Sequence, residues 1–411
     1  MIRRSALAGA LLATASLLLT ACSGTEDTAA PAAATHPVFD QKLDRQVFLA
    51  LRRTQQERNV AFTQTITFVS KKGRAVQTVS GRMNFAEGTG AATTKWELSK
   101  GLPEDIRDTV LGLTPGKGNA AASGNLLVDR QAIRYRAGTA AYWLEYRSGD
   151  AGPYFGDNSI DSLRGAEAPI GGTLVEGLGA TEAESGRPAG SGRVYQAQMP
   201  SSTAWDVFPT DLRDHLRIET DGPGAYRSSD PLPARVTVDG QGRITQVHAD
   251  FSQALHRQDG VFKDMTSLTI DLRLTGHGTA QPAMKPYGPV RAARKAVLGI
   301  TSVKRGQCID FNTGQRHLAT VVDVPCTGPH DGRVFAQKKL GTGTYPGYQA
   351  AKDKAMSACR TAYGTAPRTW TSEAAEPGVF WVMRSSEGEW NEDGGHATCY
   401  VITTKGTADK S

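Results

Sequence analysis

The sequence predicts an α+β fold built on a large, curved antiparallel sheet, and three observations carry that expectation. Apolar and polar residues alternate with a period of two in successive groups between residues 60 and 275, the signature of strands with one buried face. The stretch just before them, residues 43–59, repeats at helical spacing instead. The composition adds 45 Gly and 20 Pro at a hydrophobic fraction of 39%, which suits strands joined by many turns.

The elements follow in order. "LDRQVFLALRRTQQERN" (43–59) places Leu43, Val47, Phe48 and Leu51 at helical spacing, an amphipathic helix. "VAFTQTITFVS" then sets Phe62, Gln64, Ile66 and Phe68 against Ala61, Thr63, Thr65 and Thr67. "AVQTVSGRMNFAEG" follows a turn at Lys72-Gly73, so the two runs read as a hairpin. "AATTKWELS" continues as a strand and "EDIRDTVLGL" as a short helical piece. "GNLLVDRQAIRYRAG" has the form strand, polar turn, strand, and "AAYWLEYRS" adds another strand. Residues 150–190 are rich in Gly, Ala and Pro and carry no periodic signal. "GRVYQAQMP" is a strand, and "AWDVFPTDLRDHLRI" a helix interrupted near Pro209. In "LPARVTVDGQGRITQVHADFS", Val236 and Val238 lead into the turn Asp239-Gly240-Gln241-Gly242, and Ile244, Val247 and Phe251 follow it. "DMTSLTIDLRLTGHG" completes a set of roughly eight to eleven strands. Phe62, Ile66, Phe68, Trp96, Tyr135, Tyr142, Trp143 and Phe251 are expected to fill a core, because alternation reports burial and not ligand contact.

The flanks divide the chain further. Arg3 and Arg4 precede an apolar run over 6–21 that is too short to span a bilayer, which needs ~20 residues, and has the layout of a secretory signal. Its end, Leu19-Thr20-Ala21-Cys22, resembles the lipobox of bacterial lipoproteins. That resemblance implies removal of residues 1–21, lipidation of Cys22 and residence on the extracytoplasmic face of the cell membrane, where two or more acyl chains give stable anchoring. Residues 22–42 have the composition of a flexible tether. A first domain is expected over 43–276. Residues 277–300, with three prolines and no period, read as a linker that lets the flanking domains reorient. A second domain is expected over 301–405, with a tail at 406–411. It holds the remaining cysteines, Cys308, Cys326, Cys359 and Cys399. An even number in an oxidising compartment, with no CxxC pair, suggests two disulfides, and four cysteines allow three pairings.

The precursor carries 47 Lys and Arg against 41 Asp and Glu, a net charge of +6. The excess is mild, and no block of five or six like charges occurs, so nucleic acid is not expected as a partner.

The first domain resembles the LolA-like superfamily of envelope carriers, including the LppX- and LprG-type actinobacterial lipoproteins. The helix 43–59, the hairpin 60–87, the pair "LLVDRQAIRYR" and "YWLEY", and above all "PARVTVDGQGRITQVHADF" carry the likeness. It implies a half-barrel of antiparallel strands closed on its concave side by helices, with an apolar cavity for acyl chains or lipidated partners. The second domain resembles the septum-formation-related domain of actinobacterial envelope proteins. The matching features are Gly306-Gln307-Cys308, Val322-Asp323-Val324-Pro325-Cys326, Pro329-His330-Asp331 before Val334-Phe335, Tyr345-Pro346-Gly347, Cys359 in a helical run, and Trp390 ahead of Cys399. This resemblance implies a small disulfide-bonded α+β domain paired Cys308–Cys326 and Cys359–Cys399, facing an envelope partner. Gly332-Arg333 departs from it, since an acidic residue is usual there.

Catalytic signals are weak. His330-Asp331 invites an acid–base or metal reading, but adjacent residues on a strand point opposite ways, and a hydrogen-bonded turn is the expectation. His317 and His396 stand alone, and Glu104-Asp105 and Glu392-Asp393 read as solvated carboxylates. "GLTPGKGN" is too short for a phosphate loop, and Pro346 spoils the glycine run "GTGTYPG". HExxH, GxSxG and EF-hand patterns are missing. The expectation is therefore a non-enzymatic, lipid-anchored envelope protein with no cofactor. It would bind a lipid or other apolar ligand in its first domain and an envelope partner through its second. The alternative is a scaffold or sensor that acts by protein contacts alone.

Overall fold

Helix α1, Leu43–Gln56, buries Val47, Ala50, Leu51 and Thr54 along one stripe and turns its charged residues outward. Arg53 and Glu57 pair at 2.6 Å one turn apart. Arg58 then takes a left-handed conformation, φ 66°, which ends the helix and starts the first strand.

The computed structural model containing this helix describes residues 36–103, 106–107, 110, 123–138, 140–147, 172–208, 212, 216, 230–255, 262–280, 285–311 and 320–403. Cys22, the leader and most of the tether lie outside the described residues, as do Glu104-Asp105 and His317.

Eleven strands continue from α1: β1 Asn59–Ser70, β2 Gly73–Asn84, β3 Thr89–Leu98, β4 Ser123–Val128, β5 Ala132–Ala137, β6 Trp143–Arg147, β7 Glu182–Ala189, β8 Gly192–Met199, β9 Leu232–Val238, β10 Ile244–Asp250 and β11 Met265–Thr275. With β12, Val290–Ala292, they form one twelve-stranded sheet among the described residues, in the order β12-β6-β5-β4-β3-β2-β1-β11-β10-β9-β8-β7. Every pair is antiparallel except β12 with β6. The β1–β2 hairpin closes as the sequence predicts: Ser70 Oγ accepts from the amides of Lys72 and Gly73. At the β9–β10 turn, Asp239 accepts from the amides of Gln241 and Arg243 and pairs with the Arg243 guanidinium at 2.8–2.9 Å.

One face of this sheet is apolar across its width. Phe62, Ile66 and Phe68 on β1 lie beside Leu274, Ile270 and Leu268 on β11 and beside Gly81, Gln77 and Ala75 on β2. Gly81 is a requirement of packing. A Cβ there would stand 2.2 Å from the Ala91 carbonyl oxygen and 2.9 Å from the Phe62 ring.

Three sequence expectations are revised. At the end of the segment read as a flexible tether, Pro37–Asp40 form a helical turn that buries Val38 and Phe39 in the core, because two large apolar side chains there reach it. Within 150–190, where no element was placed, β7 forms an outer strand whose only buried residue is Ala183, so it carries no alternation to read. Within the segment read as a linker, residues 290–292 and 297–299 are strands, joined by the helical turn Ala293–Ala296. Strands of three residues are too short to register a period.

Those residues tie the first sheet to a second. β13, Val297–Gly299, opens a six-stranded sheet with β14 Cys308–Asp310, β15 Thr320–Val324, β16 Gly332–Gly341, β17 Trp381–Arg384 and β18 Gly395–Ile402, in the order β13-β15-β14-β16-β18-β17. Ala293, Ala296, Val297, Cys308, Val322 and Val324 share one continuous core with the first sheet. Tyr142 donates to Asp310, Arg291 donates to the Asp323 carbonyl, and the Arg291 guanidinium lies 5.1 Å over the Tyr142 ring. Helix α2, Tyr348–Thr365, packs on β16, and the short helix α3, Glu387–Asp393, starts with a capping box between Ser386 and Glu389. The disulfides are Cys308–Cys326 and Cys359–Cys399. The second links α2 to β18.

Candidate functional site

The covered apolar face of the first sheet is the strongest candidate, and its cover is assembled from separate pieces of chain. α1 closes the β7–β10 end. There Gln46 accepts from the Tyr195 hydroxyl at 2.7 Å and from Arg193 at 3.1 Å, while its amide donates to the carbonyls of Phe39 and Gln41. Thr54 accepts from the Ile244 amide and donates to the Ala50 carbonyl. Elsewhere the described cover includes the short helical turns Leu174–Ala180 and Ser201–Val207, together with Ile106, Val110, Leu212, Leu216, Leu255 and Phe262 buried in the same core.

Gln64, at the middle of β1, pins the first of these turns. It is fully buried, donates to the Gly172 carbonyl at 3.0 Å and accepts from the Leu174 amide at 2.9 Å. Both ends of its amide are used, which is what burial of an amide in an apolar face requires. Gly172 in turn donates to the Asp206 carbonyl, so the two short turns are hydrogen-bonded to each other. Beside them an aromatic chain crosses from cover to sheet. Trp205 packs on Phe251, Phe251 on Phe208, Phe208 on Phe68, and Phe68 on Trp96 and Phe262, with ring centroids 5.3–6.4 Å apart. On the sheet, Gln77 donates to Thr94 at 3.1 Å.

On the two short turns, Thr173 Oγ1 and Trp205 Nε1 are buried with no partner, as is Arg107 Nε between the core residues Ile106 and Val110. Thr173 lies between the two residues that Gln64 holds, and Trp205 precedes the Asp206 that Gly172 binds. All the fully buried polar residues described between 36 and 280 are amides or hydroxyls: Gln46, Thr54, Gln64, Ser70, Gln77, Thr94, Thr173, Thr181 and Ser201. Among the described residues, no charged side chain between 36 and 280 is fully buried, and Thr173 and Trp205 leave one hydroxyl and one donor unpaired.

Of the aromatic and aliphatic residues expected in the core, Phe62, Ile66, Phe68, Trp96, Trp143 and Phe251 are buried, while Tyr135 and Tyr142 are half-buried against it. Tyr142 and Trp143 belong to the seam with the second sheet rather than to the cover. Sequence reading had Gln64 in its alternation but gave no sign of its partners, which lie more than 100 residues away. Nothing in the sequence singled out Thr173 or Trp205.

The His330-Asp331 pair behaves as a turn. His330 is fully buried, with Nδ1 2.8 Å from the Gly328 carbonyl and Nε2 3.5 Å from Glu373. Asp331 accepts from the Phe311 amide at 2.9 Å. Arg333, where the resemblance had led one to expect an acidic neighbour, pairs with Glu373 at 3.2 Å and lies 5.7 Å over Trp370. Its Nε also stands 3.2 Å from the Cys308 sulfur. His396 is exposed and approaches the Asp393 carbonyl, and Glu392 and Asp393 are exposed. Among the described residues no group of three or more His, Cys, Asp or Glu is placed to hold a metal ion, and no helix is long and apolar enough to cross a membrane.

No family model matches the chain, and no curated protein matches it. Among solved structures it is similar to LprF from Mycobacterium bovis, at 11% identity and a TM-score of 0.32 over 60% of this chain and 97% of that one. It is also similar to the Mycobacterium tuberculosis lipoprotein LppX, at 10% identity and a TM-score of 0.29 over 59% of this chain and 100% of that one. An uncharacterized conserved protein from Thermus thermophilus follows at 6% identity and a TM-score of 0.25, over 59% and 97%. At these values the function of this chain has to be argued from its own residues.

Proposed function

We propose that this protein is an extracytoplasmic binding protein, held to the membrane by a lipidated Cys22, that carries an apolar, acyl-bearing molecule between the twelve-stranded sheet and its cover. The observation that supports this reading most is the cover itself. A sheet with one broad apolar face must bury that face, and the described part of its cover includes short turns pinned by single hydrogen bonds such as those of Gln64. Short segments of this kind can part from a sheet locally at far lower free energy than a packed layer of long helices. Among the described residues the fully buried polar side chains of this part are all amides and hydroxyls, which fits an acyl chain and disfavours an ionic ligand. The region around the second sheet, where Tyr348 at the start of α2 and Val379 before β17 are exposed, is the part left to meet an envelope partner.

The test is native mass spectrometry of the chain beginning at Ser23, followed by organic extraction. A retained lipid or other apolar molecule supports the carrier reading and identifies the cargo class. A chain that is empty, and stays empty after exposure to phospholipid and glycolipid vesicles, refutes it and leaves a scaffold acting by protein contacts.

A further inference from the structure

Resting on the carrier reading, we infer that the interior recognises an uncharged oxygen on its ligand, the carbonyl of an acyl ester, through Trp205 Nε1 and Thr173 Oγ1. Trp205 is 3% exposed and Thr173 6% exposed, and neither polar atom has a partner. An indole N–H can only donate, so Trp205 calls for an acceptor. A threonine hydroxyl can donate to the same oxygen or to its neighbour. A buried polar group left unpaired costs stability that native proteins rarely tolerate without a reason.

The two atoms are not scattered. They sit on the two turns that Gly172 and Asp206 join by a hydrogen bond, and Trp205 is the first ring of the aromatic chain that leads to Phe68 on the sheet. Gln64, whose bonds flank Thr173, already spends its oxygen on Leu174 and its nitrogen on Gly172. Thr173 is therefore held at a fixed point by the bonds on either side of it, with its hydroxyl unspent.

Among the described residues of this part, every fully buried polar side chain is an amide or a hydroxyl, which narrows the ligand class. A carboxylate or phosphate placed there would be desolvated without a cation, a heavy cost. A pure hydrocarbon would leave both atoms unpaired. An ester carbonyl on an acyl chain meets both conditions: it accepts hydrogen bonds and carries no charge.

The test uses the chain beginning at Ser23 and three brominated probes of equal chain length: 9,10-dibromooctadecane, 9,10-dibromostearic acid and methyl 9,10-dibromostearate. Each is delivered from the same micelles, and quenching of the interior tryptophans, including Trp96, reports binding. The ester is expected to bind at least about ten-fold more tightly than the alkane and than the ionised acid. Trp205→Phe, which keeps an aromatic ring but removes the indole N–H, and Thr173→Val, which keeps the side-chain shape, are each expected to pull the ester-to-alkane ratio toward one. A ratio near one in the unmodified protein, or a ratio unchanged in both variants, overturns the inference while the carrier reading stands. If none of the three probes quenches, the carrier reading fails and this inference falls with it.

Discussion

The Tyr142 hydroxyl donates a 2.8 Å hydrogen bond to the Asp310 carboxylate, joining residues 168 positions apart on either side of the seam between the two sheets. Burial, and then the charge of Asp310, push the phenol well above its ordinary pKa. The folded protein therefore holds this proton more tightly than the unfolded chain does. The resulting stabilisation is complete below about pH 10, where the free phenol is also protonated, and declines as pH rises beyond it. Tyr142→Phe should cost roughly 1–3 kcal/mol at neutral pH and flatten part of the alkaline decline, read from urea midpoints between neutral pH and pH 11. Tyr400, also raised by burial, should keep the remainder of the slope. An unchanged slope in the variant would place the proton elsewhere.

The Gln64 amide should govern how firmly the cover is held. Gln64→Leu preserves bulk but leaves the Gly172 carbonyl and the Leu174 amide without their partner. We expect a loss of about 1–3 kcal/mol and faster hydrogen exchange at the Leu174 amide, with exchange along β1 and β11 much less affected. Uniform acceleration across the sheet would mean that Gln64 serves the sheet and not the cover.

Gly81 should tolerate no side chain. Gly81→Ala puts a methyl group against the Ala91 carbonyl, a backbone atom held in the β2–β3 ladder, and against the Phe62 ring. A destabilisation of about 1–3 kcal/mol in thermal unfolding is expected. Gly179→Ala is the comparison, because nothing lies within 4 Å of a Cβ there.

The two disulfides should differ in weight. They close separations of 18 and 40 residues, worth about 3 and about 4 kcal/mol in the chain-entropy account. Replacing Cys359 and Cys399 with Ala should lower the urea midpoint more than replacing Cys308 and Cys326. The reverse order would give more weight to the position of Cys308 in the core shared by both sheets.

Much of the first sheet was legible because one of its faces is apolar and the other is not. β1, β2 and β9 to β11 alternate for that reason, and the turns at Gly73 and Asp239 announce themselves by residue type. Where a strand lacks a two-sided environment, the signal fails. β7 is exposed on nearly all its residues, and β12 and β13 are three residues each. The candidate site was less legible still. Gln64 looked like one polar residue among alternating ones, and its meaning depends on Gly172 and Leu174. Thr173 and Trp205 matter because of what does not reach them, and that is a property of the packed molecule.

The two ends of the twelve-stranded sheet have a further consequence. A sheet of this size would ordinarily present two long rows of unpaired backbone groups to any neighbouring chain. Here β6 is covered at one margin by the three residues of β12, and the other margin, β7, carries Glu182, Glu184, Arg187 and Pro188. Short length, charge and a missing N–H make both margins poor templates for strand addition. The fold thus resists polymerising edge to edge, which would matter most if the proposed anchor crowds the protein on a two-dimensional surface.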